Sequence, residues 1–258
     1  MNTKKWIQII LSLLVAAVGA LLVGLFRSAA IAEGAAIADK VPFTLGLILI
    51  IIAFVALLAG LLPSRHTVNV RTLTLAAMFA ALCYVGFAFF QIKIPVGDDS
   101  TSFHLGNVFC VLAALCIGGL WGGLAGAVGM TIGDLFDPVY ITSAPKTFVL
   151  KLCIGLIAGF VAHKVFHLSQ DKERKVPLVV ATVLSCCAGM VFNIIADPLV
   201  GYFYKMYVMG IPQDAAKLLA KISSLTTSVN AVIAIIAASI FYLALRPALR
   251  RMKLLPEL

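Results

Sequence analysis

An all-α integral membrane protein with eight spanning segments is the fold class this sequence predicts, and three observations predict it. Of 258 residues, 62% are hydrophobic and 12% charged, with a mean hydropathy of +1.08; an ordinary soluble domain has roughly 45–50% and about 25%. The apolar residues come in runs of about 20, the length that crosses a bilayer. The basic residues fall between those runs and favour one side. A protein interior of this size cannot enclose so much apolar surface, so lipid must cover it.

The apolar segments lie near 6–26, 43–63, 71–92, 103–119, 121–137, 147–168, 176–204 and 224–246. The first follows Lys4 and Lys5; its stretch from Trp6 to Phe26 exceeds the roughly 7–15 residues of a signal-peptide core, so it reads as a retained span. Only Gly118, Gly119 and Leu120 separate the fourth from the fifth, which predicts a tight helical hairpin. The seventh is too long for one straight span. It either projects past the bilayer or breaks near Asp197–Pro198, where proline lacks the helical N–H.

Charge sets the orientation. With both termini cytoplasmic, the inside segments hold twelve Lys and Arg residues, the outside loops hold seven, and Lys151 sits within a helix. That is the positive-inside bias of a plasma-membrane protein. The outside loops are polar: Lys93–Phe103 carries Asp98 and Asp99, Asp137–Lys146 carries Tyr140, and Tyr204–Ser223 has the pattern of a short amphipathic helix. Such loops suit lids over a site that opens outward.

The net charge of +9 does not indicate nucleic acid, because the basic residues form no stripe with interleaved aromatics. Cys83, Cys110, Cys116, Cys153, Cys186 and Cys187 all lie in apolar segments without a C-x-x-C pair, so they read as small buried hydrophobes.

Small residues crowd the fifth segment at Gly118, Gly119, Gly122, Gly123, Gly126, Gly129 and Gly133, and recur in the sixth at Gly155 and Gly159. Four-residue spacing lets helix backbones approach closely, so internal packing is the expected use. Ala76/Ala80 and Ala77/Ala81 repeat the pattern in the third segment. They serve either internal packing or a smooth groove for another protein's helix.

Ionisable groups within a bilayer are costly and usually functional. His104 and Asn107 share a face at the outer start of the fourth segment, and Asp134 and Asp137 at the outer end of the fifth. Lys146 and Lys151 flank the outer start of the sixth. Asn193 and Asp197 are four apart in the outward half of the seventh, and Asn230 follows Thr226 and Thr227 in the eighth. All five groups lie at one depth, in the outer half. Lys151 paired with Asp134 or Asp197 is compatible with a site there, because a paired lysine can still hold an anion.

The stretch from Ile94 to Lys164 carries a recognisable series: Ile94–Pro95, His104-Leu105-Gly106-Asn107, Gly118 to Gly123, Gly129 to Asp134, Ala144-Pro145-Lys146, and Lys151 through Gly159. It resembles the substrate-capture (S) component of energy-coupling factor transporters, which import vitamins. The likeness is strongest over these residues and extends from Arg71 to Leu245. Where relatives often have an aspartate after His-Leu-Gly, this chain has Asn107. The resemblance implies a six-helix substrate-binding core (67–258) behind a two-helix N-terminal extension (1–66). It implies capture of a water-soluble vitamin or precursor under loops at the outer face, with no cofactor. It further implies that Ala76, Ala77, Ala80 and Ala81 dock on a transmembrane coupling subunit bound to a pair of ATPase subunits. The chain has no G-x-x-x-x-G-K-[ST] pattern, so ATP hydrolysis is expected elsewhere.

The residues expected to line the substrate pocket are His104, Asn107, Asp134, Tyr140, Lys146, Lys151, Asn193 and Asn230. Two other functions compete: a self-sufficient secondary transporter, which calls for an internal pseudo-symmetric repeat, and a metal-dependent transferase using Asp134-x-x-Asp137.

Overall fold

The computed structural model describes residues 70–96, 99–170 and 174–252. The expected spans at 6–26 and 43–63 lie outside the described residues, as do both termini. The chain enters through α1 (Val70–Ala88), then forms an antiparallel hairpin of β1 (Gln91–Val96) and β2 (Asp99–His104), paired from Gln91 with His104 to Val96 with Asp99. There follow α2 (Gly106–Ile117), α3 (Gly119–Phe136), a 3-10 turn (Ile141–Ser143) and α4 (Ala144–Phe160), which runs into a π turn (Val161–Val165). Helices α5 (Leu178–Tyr207) and α6 (Gln213–Arg251) close the bundle. Among the described residues, four helical segments are long and apolar enough to cross a membrane: Val70–Ala88, Ile141–Val165, Leu178–Tyr207 and Gln213–Arg251.

Helix α2 is the centre. All its residues except Phe109 are buried, and α1, α3, α4 and α6 pack around it. A helix apolar on every side needs such a surround. His163, in the π turn, ties the far end of α4 to this core, with Nε2 3.0 Å from the Ala114 carbonyl and Nδ1 2.7 Å from the Ser169 hydroxyl.

The hairpin between α2 and α3 is as tight as expected. Gly118 turns the chain at φ 91°, a left-handed backbone that disfavours a side chain. The α3–α4 crossing then depends on missing side chains. A Cβ on Gly155 would lie 2.2 Å from Gly123 Cα, and one on Gly159 would lie 2.2 Å from Gly119 Cα. The two backbones therefore touch directly.

Several expected elements differ. The fourth span, read as 103–119, is a helix of only 12 residues, because Phe103 and His104 belong to β2, and the Leu105 N–H donates to the Gly86 carbonyl at 2.9 Å. The outer segment read as the Lys93–Phe103 loop is that hairpin. Of the two alternatives for the seventh segment, the break near Asp197–Pro198 does not occur: α5 runs 30 residues with Pro198 inside it, longer than a hydrocarbon core is thick. The amphipathic stretch before Ser223 forms the first turns of α6, a single helix of 39 residues. On α1, Ala76 is buried and the Ala80 carbonyl abuts Gly129 of α3, so this pair serves internal packing. Ala77 and Ala81 face outward and are exposed.

Candidate functional site

The ends of α3, α4, α5 and α6 that meet the hairpin are linked by charge and hydrogen bonds and lie beneath the two strands. Lys146, in the first turn of α4, forms an ion pair at 3.0 Å with Asp197 of α5. The second oxygen of Asp197 accepts from the Ser223 hydroxyl at 3.1 Å and the Thr227 hydroxyl at 2.9 Å, both on α6. One carboxylate thus ties three helices together. Its cost of burial is met by a cation and two donors.

The hairpin is fastened on two sides. On α6, Asn230 is bound edge-on by the strand: its Oδ1 accepts from the His104 N–H at 3.1 Å and its Nδ2 donates to the Ser102 carbonyl at 2.9 Å. Thr101 and Thr226 add a hydroxyl pair at 2.7 Å. On the opposite side, Lys93 pairs with Asp137, lies 5.6 Å from the centre of the Tyr140 ring, and Ser100 donates to the Tyr140 hydroxyl at 2.8 Å. Burial pushes the Tyr140 hydroxyl above its ordinary range, so it stays a protonated donor.

Beneath the hairpin is a cavity of about 100 Å³. One water needs roughly 10–15 Å³ measured in this way, so the space exceeds a packing defect. It is lined by all eight residues expected from the sequence: His104, Asn107, Asp134, Tyr140, Lys146, Lys151, Asn193 and Asn230. Asp137 is not among them; it pairs with Lys93 and accepts from the Val139 N–H. Of the Asp134-x-x-Asp137 pair, only Asp134 therefore lines the cavity.

Most buried polar groups in a folded protein find partners. Here His104 Nδ1, Asn107 Oδ1, Asp134 Oδ2 and Asn193 Oδ1 are buried without a hydrogen-bond partner among the described residues, and all four residues line the one cavity. Lys151, which is also buried, forms no ion pair among the described residues; of its two expected partners, Asp134 and Asp197, the second is taken by Lys146. Burial, followed by the Lys151 charge, lowers the His104 imidazole to about 3 and keeps it neutral. The arrangement suits recognition of a small polar molecule through several hydrogen bonds, with Phe87, Tyr140 and Leu219 giving apolar contact.

Sequence reasoning overlooked the strand residues Ser100, Thr101 and Ser102 and the linkage of Ser223, Thr226 and Thr227 to the rim. The signal for β1 was present: Ile92, Ile94 and Val96 alternate with Gln91, Lys93 and Pro95.

The family model described as ECF-type riboflavin transporter, S component, matches residues 67–247. No curated protein and no solved structure matches the chain.

Proposed function

The chain belongs to the ECF-type riboflavin transporter S-component family, and from that premise we propose that its cavity captures riboflavin from outside the cell. Membership makes the chain a substrate-binding membrane subunit of a transporter and not a catalyst. The observation that carries the substrate reading is the set of partnerless polar atoms around one cavity. Each costs about 1–3 kcal/mol when left unmade, and a ligand that satisfies them recovers that cost. Riboflavin has a flat ring system edged with polar groups and a polyol tail, which suits a cavity of this mixed lining. The charges favour a neutral ligand: Lys146 is neutralised by Asp197, and Asp134 shares the cavity with Lys151. A phosphate or carboxylate would have to compete with those two carboxylates.

The test uses the full chain purified in detergent. Riboflavin fluorescence should be quenched saturably without ATP, and Lys151→Ala should weaken binding at least about tenfold. Unchanged affinity in Lys151→Ala, His104→Ala and Asn193→Ala alike would remove the ligand from this cavity. Failure to bind riboflavin, with stabilisation by another vitamin from a panel, would replace the substrate and keep the site.

Delivery, in the same reading, follows when α1 docks on a transmembrane coupling subunit carrying two ATPase subunits. Ala77 and Ala81 supply a smooth outward strip, and Ala76 and Ala80 seat that strip against the bundle. The double substitution Ala77→Leu and Ala81→Leu should leave riboflavin binding intact and abolish uptake in cells. Normal uptake would refute docking through this face.

A further inference from the structure

The far end of the bundle holds a second cleft, lined by Leu178, Leu243, Arg246, Pro247, Arg250 and Arg251. Leu243, Arg246, Pro247 and Arg250 fall at i, i+3, i+4 and i+7, so they make one stripe along α6. Leu178, in the first turn of α5, forms the facing wall. Arg246 lies about four and a half turns beyond Asn230, roughly 24 Å at 1.5 Å per residue. A hydrocarbon core is about 30 Å thick, so these arginines stand near the membrane edge opposite the substrate cavity.

The cleft combines two chemistries. Its floor and wall are aliphatic, while three guanidinium groups border it, and among the described residues no Asp or Glu lines it. Arg246 is 8% exposed, and one of its Nη atoms donates to the Leu168 carbonyl at 3.2 Å, which fixes it between α6 and the turn after α4. An arginine needed only to face water would stand exposed, as Arg250 and Arg251 do. A positioned guanidinium beside two exposed ones suits a phosphate oxygen cluster. The aliphatic wall suits the acyl chains attached to it.

We propose that this cleft binds an anionic phospholipid of the leaflet opposite the substrate cavity. Its phosphate sits among Arg246, Arg250 and Arg251, and its upper methylenes lie on Leu178, Leu243 and Pro247. The site needs only the membrane location and stands whatever the cavity binds.

The full chain in detergent is titrated with phosphatidylglycerol, phosphatidylcholine or inorganic phosphate, and retained adducts are counted by native mass spectrometry. Phosphatidylglycerol should be retained in preference to phosphatidylcholine. The double variant Arg250→Gln, Arg251→Gln changes only exposed side chains; it should lower phosphatidylglycerol retention about tenfold while leaving phosphatidylcholine retention and riboflavin binding unchanged. Equal retention of both lipids, or no effect of the double variant, overturns the proposal. Displacement of phosphatidylglycerol by inorganic phosphate alone overturns it in favour of a soluble anion. Lost uptake in cells with unaltered lipid retention overturns it in favour of an acidic protein partner.

Discussion

The α3–α4 crossing and the cavity beneath the hairpin are both places where helices of one bundle meet, and they are built on opposite rules. At the crossing, Gly119, Gly123, Gly155 and Gly159 remove side chains until backbone meets backbone. At the cavity, His104, Asn107, Asp134 and Asn193 keep polar atoms that nothing among the described residues satisfies. The first region gives up chemistry for contact, and the second gives up contact for chemistry. Stability and recognition are therefore separable in this molecule, and substitutions in the two regions should have different signatures.

The strongest break in the contrast comes from the crossing. Gly155→Leu puts a branched side chain where even a Cβ would lie 2.2 Å from Gly123 Cα. Overpacking costs typically 1–3 kcal/mol and more where backbone must move, so no monodisperse protein is expected on size exclusion, and Gly155→Ala should lower the melting temperature. A wild-type melting temperature in both would show that these helices do not meet there. Asn193→Leu should do the reverse. It removes a buried acceptor with no partner, so the ligand-free protein should melt no lower than wild type, while riboflavin affinity falls about tenfold. A large drop in melting temperature would mean that the amide supports the fold.

The smallest expected effect is in the pH profile. His104 is lowered to about 3 and so is neutral throughout the range from about pH 5 to 8. Riboflavin affinity should show no histidine step in that range. The linkage has a definite sign: below its ordinary value near 6.5 the unfolded chain takes a proton that the folded chain refuses. His104 therefore makes the fold less stable as pH falls from about 6.5 towards 3, and His104→Gln should flatten that loss in a melting series. An affinity midpoint near 6.5 would show that the imidazole charges within the folded protein.

Long apolar helices were legible because the bilayer imposes length and hydropathy together, and the eight lining residues were picked out as polar groups at the ends of spans, or in a loop, assigned to one side. Two features were not. The hairpin was hidden because β2, Asp99–His104, has no apolar alternation, and Pro95 within β1 argues against a strand. The full length of α6 was hidden because Lys217, Lys221 and Arg250 end a hydrophobic run without ending a helix. Hydropathy reports where lipid stops; the backbone continues wherever its own hydrogen bonds do. The direction of Ala76 and Ala80 was equally undetermined, since small residues at four-residue spacing look the same whether the neighbour is inside the chain or outside it.

The brevity of α2 bears on how the protein is made. Twelve residues rise only about 18 Å, too little to be recognised as an independent span during insertion. The Gly118 turn joins it directly to α3, and α4 and α6, which complete its enclosure, follow later in the chain.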